Sequence, residues 1–342
     1  MLLQKPLEVK VVLTEKCNYR CDFCFNKSGK QSNSQLSEKS VKKVISKVAD
    51  AGIEKIRFTG GEPLLRKDLL SILRFAKEQG LCVMLNTNCS LIDEKNVPKL
   101  CRLVDDFLVS MHAFDAAAEK RLSGKDFFNK KISAVKLLAK NHAFIRAATI
   151  LTRENIRDLD KMHQLVESLA FDQWVLLRPM PNAQNTSPIS SNDVKFAVEK
   201  LLGFNSERKK TGRFFIENAL PFCSYKPEKV AMVALGAVHE DGNDSLVVDS
   251  SGKIKPSYFS GTILGNALQD NFVECWNSSF MQQLRSMHFL PSECKKCAYL
   301  VPCLGGSRFC ALQAKGSLNA LDPLAAPMNY KKDLGLRAKP AY

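Results

Sequence analysis

Short runs rich in β-branched residues alternate with amphipathic helical segments from residue 8 to about residue 180, and this alternation constrains the fold most strongly. Strands are predicted over residues 9–14, 55–59, 82–87, 106–110, 145–151 and 174–178, and helices over residues 38–51, 68–79, 93–102, 127–140 and 156–169. Repetition of strand, helix and strand requires right-handed crossovers and a parallel sheet whose outer face is covered by helices. The pattern indicates an α/β fold, either a barrel or an open doubly wound sheet.

Chemically distinctive residues at the ends of successive strands decide between these two sheets. Cysteines follow the first strand, the run TGGEP follows the second, and NTN and SMH lie at the third and fourth. A ring of functional strand ends is typical of a barrel, whereas an open sheet concentrates its site at one switch point. We therefore predict a partial (β/α)6 TIM-like barrel over residues 1–185.

The chain changes in texture after residue 180, where the run PMPNAQNTSPISSND marks a boundary loop. We expect a linker with a short helix at 192–202 over residues 186–220, and a small α+β domain over residues 221–325. That domain should contain a hairpin that turns at residues 249–252 and a helix near 271–286. A tail without clear periodicity follows over residues 326–342.

Composition narrows the compartment and the partners. No apolar run approaches the roughly 20 residues that a membrane span requires, and no secretion signal precedes the first strand, so we expect a cytoplasmic protein without membrane contact. Twelve cysteines in that compartment indicate metal or redox chemistry more than disulfides. The net charge of +15 suits an anionic partner. The lysines fall on helix faces without interleaved aromatic residues, so nucleic acid is not the expected partner.

Cys17, Cys21 and Cys24 lie in CxxxCxxC spacing directly after the first strand. Thiolates are the ligands that iron-sulfur clusters require, and three of them hold three irons of a cubane while the fourth iron stays open. An open metal position can bind a substrate, as in catalytic zinc sites. The alternatives are a zinc site that lacks one ligand and three reduced cysteines without metal.

The run TGGEP at the end of the second strand weighs against both alternatives. Gly60 and Gly61 let a ligand approach the backbone closely, and Glu62 offers a carboxylate to an ammonium group. Together with the cysteine motif, FTGGEPLLR and the six-unit repeat resemble the radical S-adenosylmethionine (SAM) superfamily over about residues 7–180.

This resemblance implies a [4Fe-4S] cluster on the three cysteines, with SAM chelating the open iron. Reductive cleavage of SAM, with an electron from a protein such as flavodoxin or ferredoxin, would give a 5'-deoxyadenosyl radical that abstracts a substrate hydrogen. The implied cofactor-binding residues are Gly60, Gly61, Glu62, Pro63, Asn88, Ser110, His112 and Asn155. His112 occupies a place often held by Asp, and its alternative role is that of a polar residue ending a strand.

A second group of cysteines lies in the run CKKCAYLVPCLGGSRFC: Cys294, Cys297, Cys303 and Cys310. Four thiols so close together indicate a closed zinc or iron-sulfur site. With ILGN upstream and GSLNALDP downstream, this group resembles the SPASM/twitch extension that gives radical SAM enzymes auxiliary clusters. Ser257 and Ser307 stand where a complete SPASM domain carries cysteines, so the resemblance implies one auxiliary [4Fe-4S] cluster instead of two.

The fourth ligand of that cluster is the open question. The family commonly closes it with a cysteine in DPxC, where this chain has Ala325. We predict that Cys310 supplies the fourth thiolate, because it lies near the other three in sequence and four-thiolate ligation is usual. If Cys310 does not reach, the cluster has an iron that is open to substrate.

Two further residues have candidate catalytic roles. Cys223, in LPFCSY, matches the opening cysteine of the missing cluster, and it is either a hydrogen donor to a substrate radical or a buried relict. Arg178, at the end of the sixth strand, either meets a substrate carboxylate or phosphate or forms a structural ion pair.

These features predict an enzyme, a radical SAM oxidoreductase or maturase with one auxiliary cluster. The GGSR and DP runs resemble the subgroup that acts on tetrapyrrole side chains, and the charge suits an anionic small molecule of that kind. One alternative is radical modification of a ribosomally made peptide, by crosslinking or epimerisation. Another is a non-catalytic electron-transfer protein with two clusters, against which the GGEP run argues.

Overall fold

The structure, a computed structural model, describes residues 3–24, 35–180, 189–208, 212–238 and 242–326. The strands in these ranges are β1 (Glu8–Val12), β2 (Lys55–Thr59), β3 (Cys82–Thr87), β4 (Asp106–Ser110), β5 (Ile145–Ile150), β6 (Gln173–Leu177), β7 (Phe214–Ile216), β8 (Ser245–Val248), β9 (Lys253–Lys255) and β10 (Gly265–Asn266). The helices are α1 (Glu38–Asp50), α2 (Leu69–Glu78), α3 (Val97–Leu103), α4 (Ala116–Ser123), α5 (Phe128–Lys140), α6 (Leu159–Ser168), α7 (Ser191–Glu207), α8 (Pro227–Val233), α9 (Phe272–Trp276), α10 (Ser279–Arg285), α11 (Leu300–Cys303) and α12 (Arg308–Lys315).

All of these strands form one sheet, in the order β10-β9-β8-β1-β2-β3-β4-β5-β6-β7. Strands β1 to β6 are parallel and stand in chain order, with Val9 opposite Ile56 and Ala147 opposite Trp174. The predicted α/β fold with six parallel strands is confirmed. Because parallel strands end at the same edge, this order brings the segments after β1 to β6 to one side of the sheet.

Helix α1 shows how the sequence pattern produces the packing. Its side chains Val41, Val44, Ile45 and Val48 recur at helical spacing, and all four are fully buried. The Ser37 hydroxyl begins the helix by accepting a hydrogen bond from the Ser40 amide at 3.2 Å. Burying each such side chain contributes roughly 1.5–3 kcal/mol, which holds the helix against the sheet.

The C-terminal half extends the sheet instead of standing apart from it. Strand β7 pairs with the outer side of β6, and β8 pairs with the outer side of β1, both in parallel. Strands β8 and β9 form the predicted hairpin, with the Gly252 amide donating to the Asp249 carbonyl at 2.9 Å. Strands β7 and β8 thus form hydrogen bonds with backbone groups of β6 and β1 that would otherwise be exposed at the edges of the six-stranded unit.

Three helix predictions need correction. Helix α4 is not in the predicted set, and the helix predicted over residues 192–202 extends over Ser191–Glu207. The helix predicted near residues 271–286 is two helices, α9 and α10, separated at Asn277 and Ser278. Most of the predicted boundary loop and the tail from residue 327 lie outside the described residues. In the described part of the chain, no helix has both the length and the apolar composition needed to cross a membrane.

Candidate metal centres

The loop after β1 brings Cys17, Cys21 and Cys24 to the carboxyl edge of the sheet. Burial, together with the neighbouring thiols, raises the pKa of Cys17 to about 11 and that of Cys21 to about 12. The three thiols therefore share one environment, and a metal that binds them has to displace their protons. In the ranges that the structure describes, no three His, Cys, Asp or Glu side chains converge on a point that would hold a single ion. The ligands of a cubane bind separate irons and need no such point.

Hydrogen bonds fix this cysteine loop to two neighbouring strand ends. The side-chain amide of Asn18 donates to the Ser90 hydroxyl at 2.8 Å and its Oδ1 accepts from Asn88 Nδ2 at 2.9 Å. On the other side, the Arg20 amide donates to the Ser123 carbonyl at 2.8 Å. The loop is thereby held between the segment after β3 and the end of α4.

Gly60 and Gly61 lie directly against the backbone of the cysteine loop. The Gly61 amide donates to the Thr14 carbonyl at 2.7 Å. A Cβ on Gly60 would lie 2.3 Å from that carbonyl oxygen, and a Cβ on Gly61 would lie 2.1 Å from the carbonyl oxygen of Lys16. Sequence reasoning assigned these glycines to ligand approach, and the structure adds that the two strand ends can pack together only without these side chains.

Glu62 is fully buried and connects the ends of β2 and β3. Its carboxylate accepts hydrogen bonds from the Leu64 amide at 3.0 Å, the Thr87 hydroxyl at 2.8 Å and the Asn88 amide at 2.8 Å. Burial raises its pKa to about 7, although these donors favour the charged form. The carboxylate is thus engaged by the protein itself, and its contact with a ligand ammonium group stays a prediction.

His112 and Asn155 connect the ends of β4 and β5. His112 Nδ1 accepts from the Ile150 amide at 3.1 Å, and Asn155 Nδ2 donates to the carbonyls of His112 and Ile150 at 3.1 and 2.9 Å. Burial, with a contribution from the Lys131 cation, lowers the pKa of His112 to about 3, so the ring is neutral. The Phe23 ring meets the imidazole edge-on at 4.5 Å, which brings the cysteine loop against this strand end.

The remaining predicted cofactor contacts lie along the same edge. Pro63 begins a short 3₁₀ helix and is buried, and Asn88 accepts from the Ser90 amide and hydroxyl at 3.0 and 2.7 Å. Ser110 ends β4 and is half-buried. Its hydroxyl makes no hydrogen bond to any described residue. Of the predicted contact side chains, Ser110 and His112 therefore have a polar group without a partner among the described residues, the Ser110 hydroxyl and the His112 Nε2.

A buried ion pair beneath the cysteine loop escaped the sequence reasoning. Lys131 Nζ lies 2.6 Å from Glu119 Oε1, and each side chain is only 1% exposed. The ammonium also lies 5.4 Å from the centre of the Tyr19 ring. The helical spacing could have predicted that Lys131 is buried, because it lies on the apolar face of α5 with residues 134, 135 and 138.

Arg178 forms an ion pair, which supports the structural alternative over the predicted contact with a substrate anion. Its guanidinium lies 2.7 Å from Asp322 Oδ2, with side chains 5% and 0% exposed, and it also donates to the Ala219 carbonyl at 3.1 Å. The same Asp322 oxygen accepts from the Ser307 amide at 2.8 Å. The end of β6 is thereby connected to the cysteine-rich C-terminal segment.

The second thiol site is a cavity beyond the end of β7 that opens to solvent. Four cysteines line it: Cys223, Cys294, Cys297 and Cys303. Its other walls are mostly apolar and come from Pro221, Phe222, Pro227, Tyr299, Leu300, Gly305 and Ala325. Burial and the neighbouring thiols raise the pKa of Cys223 and of Cys294 to about 11. Soft donors in a mostly apolar cavity fit an iron-sulfur cluster.

Cys310, the predicted fourth ligand, does not line this cavity. It lies in the first turn of α12 and is 1% exposed. Its amide donates to the Ser307 hydroxyl at 3.1 Å, so the serine that replaces a family cysteine begins the helix. Cys310 is thus buried at the start of α12, and its role as the fourth ligand stays a prediction.

Comparison with known proteins gives a family match in each of the two regions that contain the thiol sites. The family model described as the Radical SAM superfamily matches residues 11–166, and the SPASM model, an iron-sulfur cluster-binding domain, matches residues 240–298. The chain is 24% identical over 348 residues to PqqA peptide cyclase of Bradyrhizobium diazoefficiens, covering 94% of this chain and 86% of that protein. It is 23% identical over 341 residues to the AdoMet-dependent heme synthase of Oleidesulfovibrio alaskensis, covering 94% and 87%.

Solved structures share the fold. Streptococcus suis SuiB bound to S-adenosylmethionine superposes with a TM-score of 0.77 at 19% identity, covering 95% of this chain and 78% of SuiB. SuiB bound to its precursor peptide SuiA gives a TM-score of 0.78 at 18% identity, covering 95% and 76%. A radical SAM domain implies a [4Fe-4S] cluster with SAM, and a SPASM domain implies auxiliary iron-sulfur clusters. With thiol sets in both regions, the chain belongs to the radical SAM superfamily of enzymes and carries a SPASM-type iron-sulfur domain.

Proposed function

We propose that this enzyme catalyses a net oxidation in which its two thiol-lined sites act on one substrate. When bound, SAM and the first cluster supply a 5'-deoxyadenosyl radical that abstracts a substrate hydrogen, and an auxiliary cluster supplies an acceptor for the electron left on the substrate. The observation that carries the proposal is the placement of both sites. The cysteine loop follows β1 and the second cavity follows β7, so both lie beyond the carboxyl ends of one parallel sheet.

In this proposal Cys17, Cys21 and Cys24 hold the first cluster. The side chains of Glu62, Asn88, His112 and Asn155 support SAM binding mainly by fixing the strand ends, because each is engaged with other protein groups. The Ser110 hydroxyl is one side-chain group available for a direct contact, and His112 Nε2 is another. The buried rings of Phe23 and His112 exclude water from the space above the loop.

We propose a ribosomally made peptide as the substrate class. Its support is the similarity to PqqA peptide cyclase along 94% of this chain, joined by the fold shared with SuiB, a protein that binds a precursor peptide. The buried ion pair of Arg178 with Asp322 also supports a structural role for this arginine over contact with a substrate anion. A crosslink between two side chains removes two hydrogen atoms and is the net oxidation that the two sites would support.

An anionic small molecule of the tetrapyrrole type is the second candidate. Two observations favour it: the net charge of +15 and the similarity to the heme synthase along 94% of the chain. Electrostatic attraction of that size raises the local concentration of any polyanion, although it does not select one.

The test uses the full chain, reconstituted anaerobically with iron and sulfide and reduced with dithionite. It is incubated with SAM and either a peptide encoded beside its gene or a porphyrin with propionate side chains. We expect 5'-deoxyadenosine to form, and the peptide to lose two hydrogen atoms by mass spectrometry. Modification of the porphyrin alone would favour the second candidate. A fully loaded, reduced protein that forms no 5'-deoxyadenosine would overturn the proposal and support electron transfer without catalysis.

A further inference from the structure

We propose that Cys223 is the fourth thiolate ligand of the auxiliary cluster, in the place that sequence reasoning gave to Cys310. The starting observation is the cavity beyond β7, whose lining contains Cys223 together with Cys294, Cys297 and Cys303. The inference depends on the presence of a SPASM-type cluster in this enzyme and is independent of the substrate class.

The fold delivers Cys223 to the cavity through the segment after β7. That strand ends at Ile216, and a short 3₁₀ helix, Phe222–Ser224, then places Cys223 in the cavity wall. The amide of its neighbour Phe222 donates to the Cys303 sulfur at 3.4 Å. Amide donors to ligand sulfurs tune iron-sulfur clusters, and this bond brings the segment that carries Cys223 against Cys303.

The cavity also contains the position at which the family places its closing cysteine. Ala325 lines the cavity and offers no donor there. The backbone amide of the next residue, Ala326, favours the thiolate of Cys223 and lowers its pKa against the larger effect of burial, so the two groups are near each other. Cys223 thus stands beside position 325 and supplies a thiol where the alanine cannot. A ligand lost from one segment is replaced by a ligand from another that faces the same space.

Cys310 is not among the residues that line this space, and it is buried in the first turn of α12. The capping bond from the Cys310 amide to the Ser307 hydroxyl fixes the first turn of α12, and the neighbouring Phe309 and Ala311 are buried with it. The Ser307 amide is itself bonded to Asp322, whose partner is Arg178. A displacement of the start of α12 toward the cavity would disturb this buried network.

Four protein thiolates leave each iron of the cluster with a protein ligand. Such a cluster is typical of electron transfer, whereas a three-cysteine cluster leaves an iron for substrate. The assignment therefore favours an electron acceptor over a substrate-binding cluster. It also replaces the hydrogen-donor role considered for Cys223, because a metal-bound thiolate carries no hydrogen atom to donate.

The test is made in the full chain carrying Cys17→Ser, Cys21→Ser and Cys24→Ser, so that the auxiliary cluster is the only iron centre. The parent is compared with Cys223→Ser, Cys294→Ser and Cys310→Ser in that background, after anaerobic reconstitution. Iron and sulfide are counted, and electron paramagnetic resonance is recorded after reduction and after mild oxidation. Circular dichroism of the metal-free chains checks that each variant folds.

We expect about four irons per chain in the parent and in Cys310→Ser. Cys223→Ser should behave like Cys294→Ser, either losing the iron or converting to a three-iron signal on mild oxidation, because a serine-bound iron is lost more easily. A stable four-iron cluster in Cys223→Ser would overturn the assignment, whether or not Cys310→Ser loses its own. A parent that binds no iron would also overturn the assignment. SAM cleavage by the wild-type chain would show separately that the radical chemistry of the proposed function is intact.

Discussion

Lys131 and Glu119 form an ion pair 2.6 Å apart beneath the cysteine loop, and each side chain is 1% exposed. Replacing Lys131 with Met leaves the Glu119 carboxylate buried without its cation. We expect the free energy of unfolding to fall by about 3–5 kcal/mol, measured by urea denaturation of the metal-free chain. The double variant Lys131→Met, Glu119→Gln should recover most of this loss, because no unpaired charge remains. Equal losses in the single and double variants would contradict a charge-pair origin.

Gly61 is required by the contact between two strand ends. In Gly61→Ala the new Cβ would lie 2.1 Å from the Lys16 carbonyl oxygen, so the cysteine loop has to move. We expect a loss of about 1–3 kcal/mol in stability, together with weaker iron binding to the first cluster. Gly203→Ala is the matched control, because a Cβ there meets nothing within 4 Å and lies inside α7. It should stabilise the chain by up to about 1 kcal/mol.

Glu62 should make the metal-free chain less stable as the pH rises. Burial raises its pKa from 4.5 to about 7, so between these values the folded state binds more protons than the unfolded chain. The stability that protonated Glu62 provides is complete below pH 4.5 and is lost as the pH rises to about 7, a fall of about 3 kcal/mol. In urea titrations at several pH values, the difference in stability between wild type and Glu62→Gln should show this slope.

His112 acts in the opposite direction over an overlapping pH range, so the two contributions partly cancel in wild type. Its pKa falls to about 3, so acid favours the unfolded chain below its ordinary pKa of 6.5. The difference between wild type and Glu62→Gln isolates the glutamate, because His112 is present in both. The exposed Glu78→Gln serves as a control for the substitution itself. Parallel pH curves for wild type and Glu62→Gln would show that the Glu62 carboxylate is not the source of the slope.

Ser110 should matter for SAM binding more than for stability. Its hydroxyl makes no hydrogen bond to the described residues, so Ser110→Ala removes no internal bond. Loss of one hydrogen bond to the ligand, roughly 0.5–1.5 kcal/mol, predicts a Kd for SAM about three to ten times higher. Isothermal titration of the anaerobically loaded protein measures this, with the exposed Ser206→Ala as control. An unchanged Kd would remove Ser110 from the contact set.

The sequence allows accurate prediction of the strands that are buried between helices. Residues 55–59, 82–87 and 106–110 match β2, β3 and β4, because short β-branched runs with clear ends are typical of buried parallel strands. Helix α4 was missed although its caps were visible, with Asp115 accepting from the Ala118 amide at 2.7 Å and Gly124 ending the helix at φ +68°. Strand β7 was not predicted, because its three residues are too few to show the alternation or β-branched run that indicates a strand.

The candidate sites show a different limit. The thiols of the first site are close in sequence, and one loop brings them together, so their spacing was sufficient. The cavity of the second site is lined by Cys223 from a distant segment as well as by Cys294, Cys297 and Cys303, a proximity that sequence spacing does not reveal. Sequence spacing also does not predict the ion pair between Arg178 and Asp322, because the tertiary fold brings these two distant residues together.

The continuation of the sheet by β7 and β8 has a consequence for how this enzyme can be divided. A chain shortened to residues 1–185 would keep the SAM-binding motifs yet lose the strands that pair with β6 and β1. Two long rows of backbone amides and carbonyls would then face solvent, which is the usual route to edge-to-edge aggregation. The SAM-binding region and the C-terminal region should therefore not be separable, because strands of the C-terminal region cover both edges of the SAM-binding sheet.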